Sequence, residues 1–258
     1  MIELTFWGVR GSIPTPVAEN LGFGGNTACI SIRSADQPVI VLDAGTGIRT
    51  LGNTLSETEP VHLFLTHFHW DHIQGIPSFA PLQNTTIYSS ADPADLERIL
   101  AAQMRPPYYP VPMPGNLKYR KIAEETIGDL EIRPFTLHHP NGATGYRIES
   151  PDASIVYASD HEHGDATADR TVREYSRNAD VLIYDAQYTL EEYEHRRGWG
   201  HSTWREAVKL AKETGVRQLI LFHHDPLRTD RDLDAIVSEA QQQFPNTIAA
   251  REGWSTCL

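Results

Sequence analysis

The chain has 258 residues, a formal charge of −12 at pH 7, 40% hydrophobic residues and 22% charged residues. These values fit a globular protein with a sizeable core, either one large domain or two small ones, and we expect one domain over residues 1–258. The acidic charge argues against a large nucleic-acid surface, because phosphates would be repelled.

The sequence also gives expectations about compartment. The longest apolar runs are shorter than the roughly 20 residues that cross a bilayer. The N-terminal segment MIELTFWGVRGSIP lacks a basic region and a cleavage site, which predicts a cytoplasmic protein without a secretory signal. Cys29 and Cys257 are expected to be free thiols in a reducing compartment rather than a disulfide, and two cysteines alone cannot form a zinc site.

Strands and helices are interspersed along the chain. Alternating or continuous apolar runs predict strands at 2–8, 26–34, 38–47, 61–67, 130–139, 144–150, 153–160, 179–187 and 216–225. Helical spacing with capping residues predicts helices at 91–104, 201–215 and 229–244. Five prolines make 105–115 a loop. The pattern predicts an α/β protein with two sheets covered by helices.

A dense cluster of metal-ligand residues follows the strand at 61–67. The segment FLTHFHWDHIQGIP contains His67, His69, Asp71 and His72. Alternate residues of an extended segment face one side, so His67 and His69 can converge on one ion, while Asp71 and His72 can face a second. Imidazole and carboxylate ligands suit zinc, iron, nickel, copper or manganese. A merely histidine-rich loop is the alternative, but four ligand residues within six positions favour a metal site.

The spacing H-x-H-x-D-H resembles the signature of the metallo-β-lactamase superfamily, and the resemblance extends over nearly the whole chain. It implies an αββα sandwich of two mixed β-sheets flanked by helices. The segment LDAGTG at 42–47 is similar to the turn that precedes the signature, where Asp43 would support the site from behind. A simple Asx turn is the alternative for Asp43.

The resemblance also implies the remaining ligands. In ribonuclease Z and similar phosphodiesterases a ligand stands six positions before a Gly-Tyr pair, which selects His139 over His138. Asp160 would bridge two ions, and His223 would be the last ligand, with His224 as the alternative. The first ion would be bound by His67, His69, His139 and Asp160, and the second by Asp71, His72, His223 and Asp160. Two divalent ions are expected, Zn²⁺ first and Mn²⁺ second, with a bridging hydroxide as nucleophile.

A proton donor is implied as well. The sequence HST at 201–203, followed by an alanine-rich helix, is similar to ribonuclease Z, where the histidine is a general acid. His201 would have this role, oriented by Asp185, where the ribonucleases more often have glutamate. With Asp71, these are the predicted catalytic residues. An ordinary histidine at a helix start is the alternative, and His161 and His163 are expected to be polar loop residues.

The implied function is a two-metal phosphodiesterase. No long tRNA-gripping arm is visible, so a small phosphodiester, a cyclic nucleotide or other cyclic phosphate, is preferred to tRNA. The loop Met104–Pro114 is expected to be a lid with Tyr108 or Tyr109 stacking on a base, or else a rigid surface loop. Arg10 and Asn26 are further candidates for pocket residues. A ribonuclease Z-like nuclease, an ester or lactone hydrolase and a non-catalytic metal-binding domain stay open, as does a homodimer.

Overall fold

The first β-sheet has seven strands in the computed structural model, which describes residues 1–34 and 37–258. The strands run in the order β14-β1-β2-β3-β4-β5-β6. They are β1 (Ile2–Gly8), β2 (Cys29–Ser34), β3 (Val39–Leu42), β4 (Val61–Phe64), β5 (Thr85–Ser89), β6 (Lys118–Lys121) and β14 (Ser255–Cys257). The neighbours from β3 to β6 are parallel, and the others are antiparallel.

The second sheet also has seven strands, in the order β13-β12-β11-β10-β9-β8-β7. They are β7 (Glu125–Ile127), β8 (Leu130–Leu137), β9 (Ala143–Glu149), β10 (Ser154–Ala158), β11 (Val181–Asp185), β12 (Gln218–Phe222) and β13 (Thr247–Ala249). The neighbours from β10 to β13 are parallel. All five residues of β11 are buried, as expected for a central strand with parallel neighbours on both sides.

Helices cover the outer faces of both sheets. They are α1 (Ile48–Gly52), α2 (Trp70–Ile73), α3 (Pro93–Gln103), α4 (Ala166–Ser176), α5 (Leu190–Glu194), α6 (Trp204–Thr214) and α7 (Asp230–Gln243). Short 3-10 turns lie at Ala18–Asn20, Ile76–Ser78 and Ala80–Asn84. One apolar core fills the space between the sheets, a second lies under α4, α6 and α7, and a third under α1 and α3. The predicted αββα sandwich is confirmed.

The three predicted helices begin at predicted capping residues, and α6 also ends at its predicted glycine. The Thr203 side chain accepts from the backbone N–H of Glu206 at the start of α6, and Gly215 ends that helix at φ 69°. Thr229 caps α7, and Asp92 is the N-cap residue of α3. No helix or strand lies between Gln103 and Lys118, as the prolines predicted.

Several elements were missed in the sequence. The strand β5 is a short segment, TTIYS, without clear alternation. Helix α4 is strongly polar and buries only Ala168, Val172 and Ser176, one residue per turn. The predicted strand at 26–34 begins only at Cys29. Both cysteines are free, and none of the described helices has the length and apolar character needed to cross a membrane.

The parallel strands bring the predicted site residues to one edge of the sandwich. Asp43 follows β3, His67 lies three residues after β4, Asp160 follows β10, Asp185 ends β11 and His223 follows β12. The carboxyl ends of parallel strands meet at one edge of a sheet, and ligands commonly bind there. Asp43, Asp160 and His223 each have φ of 60°, a left-handed conformation that is rare and costly for residues other than glycine. Backbone strain thus coincides with the predicted site.

Candidate metal centre

Three histidines form the first group of potential ligands. His67, His69 and His139 each offer a ring nitrogen, and these nitrogens lie within 4.8 Å of one another. Nε2 of His139 is 3.1 Å from Nδ1 of His69. His69 lies at the N-terminus of α2, and His139 follows β8. The structure therefore brings together the three histidines predicted for the first ion.

The second group combines Asp71, His72 and His223, again with ligand atoms within 4.8 Å of one another. Nε2 of His72 is 3.2 Å from Nε2 of His223, and Nε2 of His223 is 3.1 Å from Oδ2 of Asp71. The backbone N–H of Ser12 also donates to Oδ2 of Asp71 over 2.6 Å. The residues predicted for the second ion are also assembled.

Asp160 lies between the two groups, one oxygen toward each. Its Oδ1 is 3.8 Å from Nε2 of His67 and 3.7 Å from Nε2 of His139. Its Oδ2 is 3.1 Å from Nε2 of His72 and 3.3 Å from Nε2 of His223. This is the arrangement expected of a carboxylate that bridges two ions.

The hydrogen bonds behind the histidines test whether cations fit. Nδ1 of His72 donates to Asp43 over 2.8 Å, and Nδ1 of His223 donates to Oε1 of Gln187 over 2.9 Å. Nδ1 of His139 donates to the carbonyl of Gly200 over 2.8 Å. In a neutral ring the other nitrogen then carries only a lone pair. With both rings neutral, as metal binding requires, Nε2 of His72 and Nε2 of His223 face each other as two acceptors, and a cation between them would stabilise this arrangement.

The hydrogen bonds of His67 independently indicate that a cation fits. The hydroxyl of Thr66 lies 3.0 Å from each oxygen of Asp43 and donates to this carboxylate, so it accepts from Nδ1 of His67 over 2.9 Å. Nε2 of His67 is buried and has no hydrogen-bond partner among residues 1–34 and 37–258. A buried acceptor without a partner is costly, and a metal ion would satisfy it. The residues present fit two cations.

Asp43 holds predicted ligands in place through hydrogen bonds, which confirms the supporting role and not the simple Asx turn as the interpretation of this residue. It is fully buried and accepts from Nδ1 of His72, the N–H and hydroxyl of Thr66, and the hydroxyl of Tyr157. Hydrogen bonds of this kind fix the tautomer and orientation of ligating histidines. Thr66, Gln187 and the Gly200 carbonyl have the same function and were not found in the sequence, because only the fold brings them to their partners.

The predicted proton donor lies beside these groups. Nδ1 of His201 is 2.8 Å from Oδ2 of Asp185 and 3.8 Å from Oδ1 of Asp160, and its ring stacks on that of His223 at 4.8 Å between centroids. Aspartate is therefore long enough at position 185. Its second oxygen accepts from the N–H of Gln187 and of Ser202, both over 3.1 Å.

The charges of the site interact strongly. Burial alone would raise the pKa values of Asp71 and Asp160, but the neighbouring histidines, His72 and His223 among them, hold both well below the usual range. Burial alone would lower the pKa of His201, but the charge and hydrogen bond of Asp185, with Asp160 nearby, raise it to about 9. Both carboxylates therefore remain ionised where cations would bind, and Asp185 favours the protonated form of His201.

Other candidate residues lie outside the ligand groups. Nε2 of His224 donates to the carbonyl of Ala250 over 2.9 Å, and His138 is exposed. Nε2 of His161 bonds to Asp169, and Nδ1 of His163 bonds to Ser202. The structure thus favours His223 over His224 and His139 over His138, while the role of the selected residues as ligands stays a prediction.

The expectation that Arg10 and Asn26 line the pocket is not met. Arg10 is fully buried and donates to the carbonyls of Gly24, Asp225 and Arg228. The side chain of Asn26 donates to Glu252 over 3.0 Å. Both residues fasten the N-terminal loop to the rest of the chain.

The family follows from a comparison with known sequences. Residues 39–224 match the model of the Beta-lactamase superfamily domain. The chain belongs to the β-lactamase superfamily. This confirms the predicted class, a metal-dependent hydrolase with the metallo-β-lactamase fold.

Relatives within the superfamily cover nearly the whole chain. The chain is 25% identical to ribonuclease Z of Thermoplasma acidophilum over 97% of its own length and 94% of that protein. Its fold resembles that of the metallo-β-lactamase fold protein YhfI from Bacillus subtilis, with a TM-score of 0.76 and 22% identity over 99% of this chain and 98% of that one. A diphosphatase of the PhnP family gives a TM-score of 0.72 and 18% identity over 100% and 98% of the two chains.

Proposed function

We propose that the protein is a phosphodiesterase that hydrolyses a small phosphodiester, a cyclic nucleotide or another cyclic phosphate. The observation that carries the proposal is the His201–Asp185 pair beside the two ligand groups. An alkoxide leaves a phosphodiester readily only if it receives a proton, and a positioned histidine can give it one. The similarity to a ribonuclease and to a diphosphatase also supports chemistry at phosphorus.

The ligand groups would hold two divalent ions, with Zn²⁺ favoured and Mn²⁺ as the alternative. His67, His69 and His139 would bind the first ion, and Asp71, His72 and His223 the second, with Asp160 shared. Such ions supply Lewis-acid charge to the phosphoryl oxygens. The protein fixes the direction of each ring by the bonds from Asp43, Thr66, Gln187 and Gly200, so little reorganisation is needed when a substrate binds.

His201 would deliver the proton from Nε2. Its Nδ1 is engaged by Asp185, and no residue in the described part of the chain bonds to Nε2. The side chain keeps 10% of its surface exposed, which leaves Nε2 open toward a substrate. Asp185 fixes the ring orientation and stabilises its positive charge, so the proton is available at Nε2 near neutral pH.

The size of the substrate is inferred from what surrounds the site. Residues 104–117 form a short loop between α3 and β6. Tyr109 anchors this loop by donating to the carbonyl of Pro77 over 3.0 Å, so only Tyr108, which is 77% exposed, remains free to stack on a base. The alignment with ribonuclease Z extends over 302 positions, more than this chain contains, so that relative has segments that this chain lacks. With the charge of −12, these features favour a small substrate over tRNA.

Two other functions remain as outcomes of the test. A ribonuclease Z-like nuclease would cleave precursor tRNA, and an ester or lactone hydrolase would use the ions without depending on His201. Purified protein should be assayed with 2′,3′- and 3′,5′-cyclic nucleotides, bis(p-nitrophenyl) phosphate, a lactone and precursor tRNA at equal metal loading. Turnover of a cyclic nucleotide with tRNA left intact supports the proposal. Efficient tRNA cleavage, or lactone hydrolysis that is unaffected by His201→Ala, would overturn it.

A further inference from the structure

Glu162 is a buried carboxylate two residues beyond Asp160, and the proposed chemistry does not use it. Its exposed fraction is 5%. Oε1 accepts from the N–H of Gly198 over 2.7 Å and from the hydroxyl of Tyr193 over 3.1 Å, and Oε2 accepts from the N–H of Gly200 over 2.7 Å. Three donors thus converge on one carboxylate, and two of them belong to the backbone of one short segment.

That segment, residues 198–201, leads directly to the metal centre. The carbonyl of Gly200 accepts from Nδ1 of His139 over 2.8 Å, and the next residue is His201. Gly198 and Gly200 have φ of 83° and 89°, values that glycine adopts without strain. A Cβ on residue 200 would also collide with the ring of His139. The segment therefore has a conformation that favours glycine at both positions. The carboxylate of Glu162 accepts hydrogen bonds from the N–H groups of Gly198 and Gly200.

Glu162 is itself fixed to the strand end that carries His139. The N–H of Glu162 donates to the carbonyl of His138 over 2.8 Å, and Nδ1 of His138 donates to the carbonyl of Glu162 over 3.0 Å. Glu162 thus connects two segments: its backbone bonds to His138, and its carboxylate bonds to the turn at 198–200. Within this turn, the Gly200 carbonyl contacts the ring of His139, a predicted ligand.

We propose that Glu162 is a positioning residue for the first metal ion. It holds the Gly200 carbonyl against His139, so that Nε2 of His139 keeps its lone pair directed at the ion. Hydrogen bonds to a charged group are among the stronger ones, and loss of groups that orient a ligating histidine typically weakens metal binding about 10–100-fold. The inference rests on the two-ion centre of the proposed function, but not on the identity of the substrate.

Glu162→Gln tests the proposal with little change in volume. The new amide NH₂ must face either Gly198 N–H or Gly200 N–H, so one inward donor loses its acceptor. Stepwise Zn²⁺ titration against a chelator should show one binding step weakened about 10–100-fold and the other unchanged. Glu252→Gln is the matched control, because Glu252 also accepts a backbone N–H, that of Asn26, but makes no contact with the site. It should leave both steps unchanged.

Double mutants identify which ion is affected. In a His139→Ala background Glu162→Gln should add no further loss to the weakened step, whereas in a His223→Ala background it should keep its full effect, because coupled residues are not additive. Tyr193→Phe removes one of the three donors to Glu162 and leaves the bonds from Gly198 and Gly200 in place, so it should weaken the same binding step to a smaller extent. This variant provides the test if Glu162→Gln does not fold. Equal weakening of both steps, no weakening, or full additivity with His139→Ala would overturn the proposal. Since the titration contains no substrate, a failure of the phosphodiesterase assignment would be seen separately.

Discussion

Replacing His201 with alanine should slow hydrolysis by an amount that depends on the leaving group. Asp185 raises the pKa of His201 to about 9 against the effect of burial, which favours the protonated ring, so the variant loses a proton donor. General acid catalysis contributes about 10²–10⁴-fold, or about 3–5 kcal/mol. A ribose alkoxide needs this proton, and we expect the full loss on a cyclic nucleotide. A p-nitrophenolate is a stable anion and hardly needs it, so the loss on bis(p-nitrophenyl) phosphate should be far smaller.

The assay is kcat for both substrates, measured for the wild type, His201→Ala and Asp185→Asn at matched metal content. Asp185→Asn keeps the ring but removes the charge that holds its proton, so it should show the same dependence on leaving group with a smaller loss. Equal losses on the two substrates would exclude His201 as the proton donor. They would mean that His201 binds the phosphate or supports the ions, as its 3.8 Å distance to Asp160 would also allow.

Four further outcomes are expected. Asp160→Ala should abolish hydrolysis of every substrate and reduce the bound metal below two ions per chain by elemental analysis; full activity with two ions would contradict its bridging role. Bound cations will lower the pKa of His201 from about 9, so the rate of cyclic-nucleotide hydrolysis should fall at alkaline pH as His201 loses its proton. The same decline with bis(p-nitrophenyl) phosphate would show that His201 does not cause the fall. Asp43→Asn should weaken binding of the ion held by His72 about 10–100-fold in a chelator titration, and unchanged affinity would show that the hydrogen bond from His72 to Asp43 does not support that ion. Added salt should hardly change KM for a small substrate, because few phosphates are contacted, and a steep dependence would point to a nucleic acid.

Much of the site could be predicted because four of its predicted ligands are concentrated in a local pattern. His67, His69, Asp71 and His72 occupy six positions after one strand, and their spacing alone suggests two points of convergence. The later ligands could be selected only by resemblance, since His138 and His139, or His223 and His224, are equivalent in composition. The fold separates them physically: the rings of His139 and His223 face the site, whereas Nε2 of His224 reaches the carbonyl of Ala250.

The groups that orient the ligands could not be predicted in this way. Gln187 reaches His223 across 36 positions of the chain, and Glu162 reaches Gly200 across 38. Such contacts depend on how the strands are ordered in the sheet, which local patterns do not specify. The same limit applies to α4, since a helix that buries only one residue per turn has a weak apolar period. Capping residues, by contrast, act locally, so the starts of α6 and α7 could be predicted, and the structure shows that Thr203 and Thr229 are the residues that cap them.

The most direct test of the account is the metal content of the active protein, because the bridging aspartate, the paired histidine groups and the phosphodiesterase proposal all require two ions. Elemental analysis of purified protein, with activity on a cyclic nucleotide measured on the same samples during stepwise reconstitution, gives this number. Activity should reach its maximum at two divalent ions per chain, zinc or manganese. Full activity with a single iron per chain would contradict it.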